Sequence, residues 1–191
     1  MSPIKRLLRG LNRLIRRFAV ARDGMAATEF AIIAPVMITM FFAVTELSDA
    51  FEASTKVTSV ASTAADLIAQ EKVVCDAEMT DTFSALNSIM FPYAANGLQI
   101  RITSVIDGGN NLTKVAWSDA QGMAPLTVNT NVTLPTGLVT SGGGGSVIMA
   151  EVAYNYSSVT GKWLTSVVPM TDVFYLRPRR VSQIPRTANS C

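Results

Sequence analysis

Few side chains in this sequence are placed to do chemistry. Histidine is absent, which removes the commonest general base, the Ser-His-Asp and Cys-His arrangements, and the usual imidazole metal sites. The glycine run Gly142 to Gly145 is not followed by the Gly-Lys-Ser/Thr of a phosphate-binding loop, so it reads as a flexible connection. Cys75 and Cys191 are too few for a structural zinc site and too far apart for a redox Cys-x-x-Cys. No catalytic residue, cofactor or metal ligand is therefore expected. What stands out is one carboxylate, Glu29, just inside an apolar run that follows Gly24-Met25-Ala26-Ala27-Thr28. An ionised group at bilayer depth costs roughly a few kcal/mol or more, so such a residue calls for a partner or a purpose. It could snorkel to the headgroup level without a partner, bind a proton, or pair with a cation. If the chain were cut after Gly24, Glu29 would be the fifth residue of the product, one helical turn from the new α-amine of Met25.

The apolar run must position that carboxylate. Phe30 to Thr45 is uncharged over 16 residues, which at about 1.5 Å per residue reaches roughly 24 Å and falls short of a ~30 Å hydrocarbon core. Counting from Met25 to Thr45 gives about 31 Å, enough to span, with Glu29 about 6 Å inside the near end. Pro35 lies within this segment and removes one helical hydrogen bond, which predicts a bend. Residues 1 to 24 carry seven Lys/Arg against Asp23, or +6, whereas the whole chain is only +2. The basic excess thus works as a topology signal that keeps the N-terminus cytoplasmic, and nucleic acid is not an expected partner. Leu8, Leu11, Leu14, Ile15 and Phe18 have helical spacing. They fit either a basic amphipathic helix on the membrane surface or an unstructured charged leader.

Taken together, the basic leader, Gly24, the fifth-position Glu29 and Phe30 opening the apolar run are the arrangement of type IV prepilins and pseudopilins. The pattern from Arg17 to about Asp66 resembles the TadE/TadG-like pilus assembly family of tight-adherence secretion systems. The resemblance implies cleavage by a prepilin peptidase between Gly24 and Met25, and a role for Glu29 in neutralising the freed amine of a neighbouring subunit during assembly. Val147 to Tyr156, followed later by Phe174 to Arg179, is similar to the head-domain endings of that family. The modest head favours the TadE type.

Beyond the apolar run, residues 46 to 71 lack Gly and Pro, so the helix is expected to continue. Ala50, Ala53, Val57, Val60, Ala64 and Leu67 form a narrow seam of mostly small side chains, covered either by the chain's own head or by neighbouring subunits. Asp76 is expected to cap a helix running to about Met90 with Met79, Phe83, Leu86 and Met90 on one face. Leu98 to Ile106 and Leu112 to Trp117 read as a β-hairpin around Asp107-Gly108-Gly109-Asn110-Asn111. Residues 119 to 146 read as a long loop, and Val147 to Tyr156 and Thr171 to Arg177 as two further strands. In an oxidising periplasm Cys75 and Cys191 would form a disulfide, against the alternative of two free thiols. Arg177, Arg179, Arg180 and Arg186 form a basic tail, either a solvated edge guarded by Pro178 and Pro185 or a contact for acidic partners.

The expected fold class is α+β: a long N-terminal transmembrane helix extending into a small periplasmic head with a mostly antiparallel, pilin-like sheet. The expected division is a basic cytoplasmic leader (1–24), a transmembrane helix (25–47), a helix extension (48–71) and an α+β head (72–191). The function this implies is that of a minor pseudopilin or pilus assembly protein, single-pass in the inner membrane and acting in pilus biogenesis and surface attachment. Its expected partners are the prepilin peptidase, the major pilin and other pseudopilins, the inner-membrane assembly platform and the lipid bilayer. The alternative is an uncleaved, membrane-anchored periplasmic or surface binding protein. Release of a soluble head by cleavage near Ser48-x-Ala50 is the third reading.

Overall fold

The computed structural model describes residues 23–110, 112–139, 145–158 and 167–188. The chain divides into two compact units, Met1–Leu47 and Ser48–Cys191. A single 47-residue helix, α1 (Asp23–Ala69), contributes residues to both. No Gly follows Gly24 in it, and Pro35 is its one proline. The helix assignment continues through Pro35 without interruption.

In the first unit the side chains of α1 are almost all exposed. Phe30, Ile32, Met40 and Phe41 are each more than half accessible, which suits lipid far better than water. The helix is long and apolar enough to cross a membrane. Its hydroxyls are satisfied within it: Thr28 Oγ1 donates to Met25 O at 2.8 Å, Thr39 Oγ1 to Pro35 O at 2.8 Å, and Thr45 Oγ1 to Phe42 O at 2.9 Å. Local bonds of this kind lower the cost of placing polar atoms in hydrocarbon.

The second unit is α+β. After residues 48–69 of α1 come α2 (Asp76–Ile89), a short 3-10 turn (Ala95–Gly97), β1 (Leu98–Asp107), β2 (Thr113–Gln121), β3 (Ser146–Tyr156) and β4 (Val168–Leu176). The four strands form one antiparallel sheet in the order β2-β1-β3-β4. Period-two alternation sends Leu98, Ile100 and Ile102 of β1 and Ile148, Ala150 and Val152 of β3 into the core. There they join Ala53, Val57, Val60, Ala64 and Ile68 of α1, Met79 and Leu86 of α2, and Met90 at the C-cap of α2. Arg101 and Glu151, directly opposite on β1 and β3, are joined at 2.6 Å and reinforce that register.

Several expectations are refined. The seam on α1 is covered by the chain's own α+β unit at Ala53, Val57, Val60 and Ala64, with Ala50 packed against it. Leu67 is only half-buried and outside that core, its expected place is taken by Ile68, and burial of Ala61 and Ala65 makes the face wider than expected. A helix lying on a sheet hides a broad face, while an a/d-type seam serves a narrower helix–helix contact. Asp76 is not the cap of α2. Cys75 occupies the N-cap and makes no side-chain capping bond; Asp76 is the first helical residue, where a negative charge complements the helix dipole. The region read as a loop from 119 is strand as far as Gln121, and Asn129 to Val132 line the outer edge of β2. Val115 N donates to Thr130 O at 3.0 Å, and Val132 N to Thr113 O at 2.9 Å, so the first part of this edge, Thr113 to Val115, is closed to further pairing. Most of the glycine run, Gly142 to Gly144, lies outside the described residues.

Tyr93 fastens the turn after α2 to α1. Its hydroxyl donates to Asp49 O at 2.9 Å, and its ring meets Tyr156 edge-on at 6.0 Å between centroids. Burial, with Glu52 and Asp49 adding negative charge nearby, pushes its phenol up to about 12. The folded state thus retains a proton that an unfolded chain releases near pH ~10. This contribution is fully present below that pH and is lost as pH rises to about 12. Urea melts of the detergent-extracted protein should show a midpoint that falls between these pH values. Tyr93→Phe should be less stable by about 1 kcal/mol at neutral pH, for the lost hydrogen bond, and should show a shallower alkaline fall.

Candidate processing and assembly segment

Gly24, Met25 and Glu29 all fall in the first two turns of α1 and are exposed. A Cβ built on Gly24 would meet nothing within 4 Å, so the fold has no steric need for glycine there. Glycine within a helix costs up to ~1 kcal/mol relative to alanine. Its presence at Gly24 is therefore accounted for by something other than the packing of this helix. A protease that takes its substrate in extended form must unwind this turn and break the bond from Thr28 to Met25 O; glycine lowers that cost.

Glu29 makes no ion pair among the described residues. Helical side chains lean toward the N-terminus, so its carboxylate tilts back over the turn that begins at Met25. Residues four apart share a face. Hydrolysis of the Gly24–Met25 bond would leave an ammonium one turn away on the same helix, available to Glu29 of its own chain or of a neighbour. The segment thus offers an exposed peptide preceded by glycine and an exposed carboxylate one turn further on.

The remaining candidate residues lie elsewhere. Pro35 sits two turns beyond Glu29. Cys75 is 1% exposed at the N-cap of α2. Cys191 lies outside the described residues, but the C-terminal segment does run past Cys75: Val74 N donates to Pro185 O at 3.0 Å, and Thr187 N to Val74 O at 2.9 Å.

The four tail arginines were read as a solvated edge or a partner contact, and three of them are internal cross-links. Arg177 donates to the carbonyls of Gly137 and Leu138, the latter from Nε at 3.0 Å. Arg179 pairs with Asp66 of α1, and its backbone N–H donates to Ala69 O at 2.9 Å. Arg186, whose side chain is 18% exposed, bridges Asp119 of β2 at 2.8 Å and Asp76 of α2 at 2.5 Å. The hydrogen bond to Asp119 raises its pKa above the ordinary guanidinium value; burial opposes the rise and Asp76 adds to it. Beside this clamp, Trp117 Nε1 donates to Ile184 O at 2.8 Å. No local pattern could have announced these pairs, because their partners lie 39 to 113 residues away in sequence.

Comparison with known proteins bears on the N-terminal segment. A family model described as TadE-like protein matches residues 24–66. No curated protein and no solved structure matches the chain significantly. The TadE-like segment thus begins at Gly24, includes Met25, Glu29 and Pro35, and ends at Asp66, before the sheet.

Proposed function

We propose that this TadE-like chain is a minor pseudopilin or pilus assembly protein of a tight-adherence (Flp-type) pilus. The observation that supports the reading is the TadE-like family match, which starts at Gly24; by sequence count Glu29 is the fifth residue after that glycine. In this account a prepilin peptidase adds water across the Gly24–Met25 bond, leaving a carboxylate on the leader and an α-amine on the mature chain. The helix crosses the inner membrane once, bent at Pro35, with the basic leader cytoplasmic and the α+β unit periplasmic. As subunits join, the Met25 amine of one chain and Glu29 of the next neutralise each other, which favours one axial stagger. A buried pair of this kind supplies specificity more surely than stability. Outside the membrane, a Cys75–Cys191 disulfide holds the C-terminus against α2.

The partners in this reading are the peptidase, the major pilin, other pseudopilins and the membrane assembly platform. Deletion of the gene should abolish or sharply reduce surface pili, and the wild-type chain supplied in trans should restore them. Normal piliation in the deletion strain would refute the role.

A further inference from the structure

The sheet has one outer edge that the chain itself begins to cover, on β2, and one that it leaves open, on β4. On β2, Thr113 and Val115 turn their backbone groups outward to bond Val132 and Thr130, so Lys114 faces inward toward its partner Ile106. Carried through the antiparallel registers, this parity makes Arg101 and Thr103 face β3, Ala150 and Val152 face β4, and Asp172 and Phe174 face back to β3. The backbone groups of Thr171, Val173 and Tyr175 therefore point off the outer edge of β4, where no strand pairs with them among the described residues. The Val173 N–H donates instead to Oδ1 of its own neighbour, Asp172, at 2.8 Å. Pro169, also on the outward side, has no N–H to leave unpaired and marks the near limit of the open stretch.

A cleft flanks this edge on each face of the sheet. On the α1 side, Phe174 and Leu176 line one of about 370 Å³ with Ser62, Thr63 and Asp66. On the opposite face, Tyr175 lines one of about 500 Å³ with Leu138 and Val147. An open edge between two clefts suits an added strand, whose main chain bonds the edge while its side chains enter the two clefts in alternation. The charge on β4 defines that strand further. Asp172 is the sole charged residue of β4 and makes no ion pair among the described residues. A carbonyl of the added strand would replace Asp172 on the Val173 N–H and free the carboxylate for a cation directly across. A second copy of β4 cannot supply that cation, because β4 has no Lys or Arg. Two-fold pairing would set Asp172 against itself or against an apolar residue.

We propose that the outer edge of β4, from Thr171 to Tyr175, is a docking site for an extended strand of another protein, with apolar side chains on the Tyr175 face and a Lys or Arg opposite Asp172. In the free chain Asp172 guards the edge by holding the Val173 N–H, as charged residues on edge strands do. Docking exchanges that local bond for a ladder of main-chain bonds and makes the guard one half of an ion pair. The site lies wholly within the Ser48–Cys191 unit and is independent of peptidase processing.

The test uses the full-length protein in detergent micelles and a short fluorescein-labelled peptide of alternating Val and Thr with a central Lys, read by fluorescence anisotropy. One companion peptide carries Glu in place of that Lys, and another keeps the Lys but has N-methylated backbone amides. Wild type should bind the Lys peptide roughly fivefold more tightly than the Glu peptide, because an opposite-charge pair replaces a like-charge one. Asp172→Lys should reverse that order. N-methylation should abolish binding, since it removes the donors for the edge carbonyls. Equal affinity for the Lys and Glu peptides, an order unchanged in Asp172→Lys, full binding of the N-methylated peptide, or no binding by any peptide would each overturn the site. Light scattering follows the protein mass as the Lys peptide is added. A constant mass is expected; a mass that falls by half would assign the edge to a second copy and overturn the proposal.

Discussion

Replacing Glu29 with Gln should leave the protein inserted in the membrane at normal abundance and reduce surface piliation by about a hundredfold or more. Insertion is spared because removing a charge from the near end of the span lowers the cost of placing it in lipid. Assembly is not spared, since the Met25 amine of a neighbouring subunit would then enter the membrane without its counter-ion. Removing one partner of a buried ion pair costs about 3 to 5 kcal/mol, and at about 1.4 kcal/mol per tenfold that is roughly two to three and a half orders of magnitude in subunit addition. The exposed position of Glu29, with no ion pair among the described residues, is what makes it available for a partner from outside. Glu29→Asp should retain part of the activity and Glu29→Lys none. Counting pili by electron microscopy against immunoblots of the membrane fraction separates the two effects. Wild-type piliation in the Gln variant would remove the assembly role.

Arg186→Ala should destabilise the α+β unit by about 2 kcal/mol, below the 3 to 5 typical of fully buried pairs, because Asp76 is 62% exposed and its share is screened. Most of the loss comes from Asp119, which is 28% exposed and would be left without its cation. The change also frees the segment Ile184–Thr187, which is laid against Val74 and Trp117. If Cys75 and Cys191 are bridged, the disulfide becomes the remaining tie on that segment. Wild-type protein should then resist a thiol-alkylating polymer until it is reduced. After reduction, the Arg186→Ala variant should label faster than wild type, as its C-terminal segment opens more often. Labelling of the unreduced wild-type protein would exclude the bridge, and a variant as stable as wild type in urea melts would exclude the clamp.

The parts of this molecule legible in the sequence are those governed by local periodicity. The absence of Gly and Pro after Pro35 makes α1 continuous to Ala69, and alternation around the Asp107 turn marks β1 and β2 to within a few residues. The antiparallel sheet and the core face of α2 follow from the same patterns. The cap of α2 was misplaced by one residue because Asp76 has the right side chain for a cap and instead turns it to Arg186. The arginine clamps were not legible, since an Arg paired with a distant Asp and an Arg in water look alike in sequence. Neither was the exposure of Phe91, since an aromatic after a helix reads as core until the turn is placed in space. The proposed processing segment is read from the sequence on a different ground: in the proposed account another protein must recognise residues 24 to 29 as a linear string.

The central claim is most directly tested by the N-terminal mass of the protein extracted from membranes of cells with and without the prepilin peptidase. The account predicts a chain beginning at Met25 when the peptidase is present and one retaining residues 1–24 when it is absent, with Gly24→Ala slowing the conversion but not the insertion. A chain that keeps residues 1–24 in both strains, or one that begins after Ala50, would contradict it.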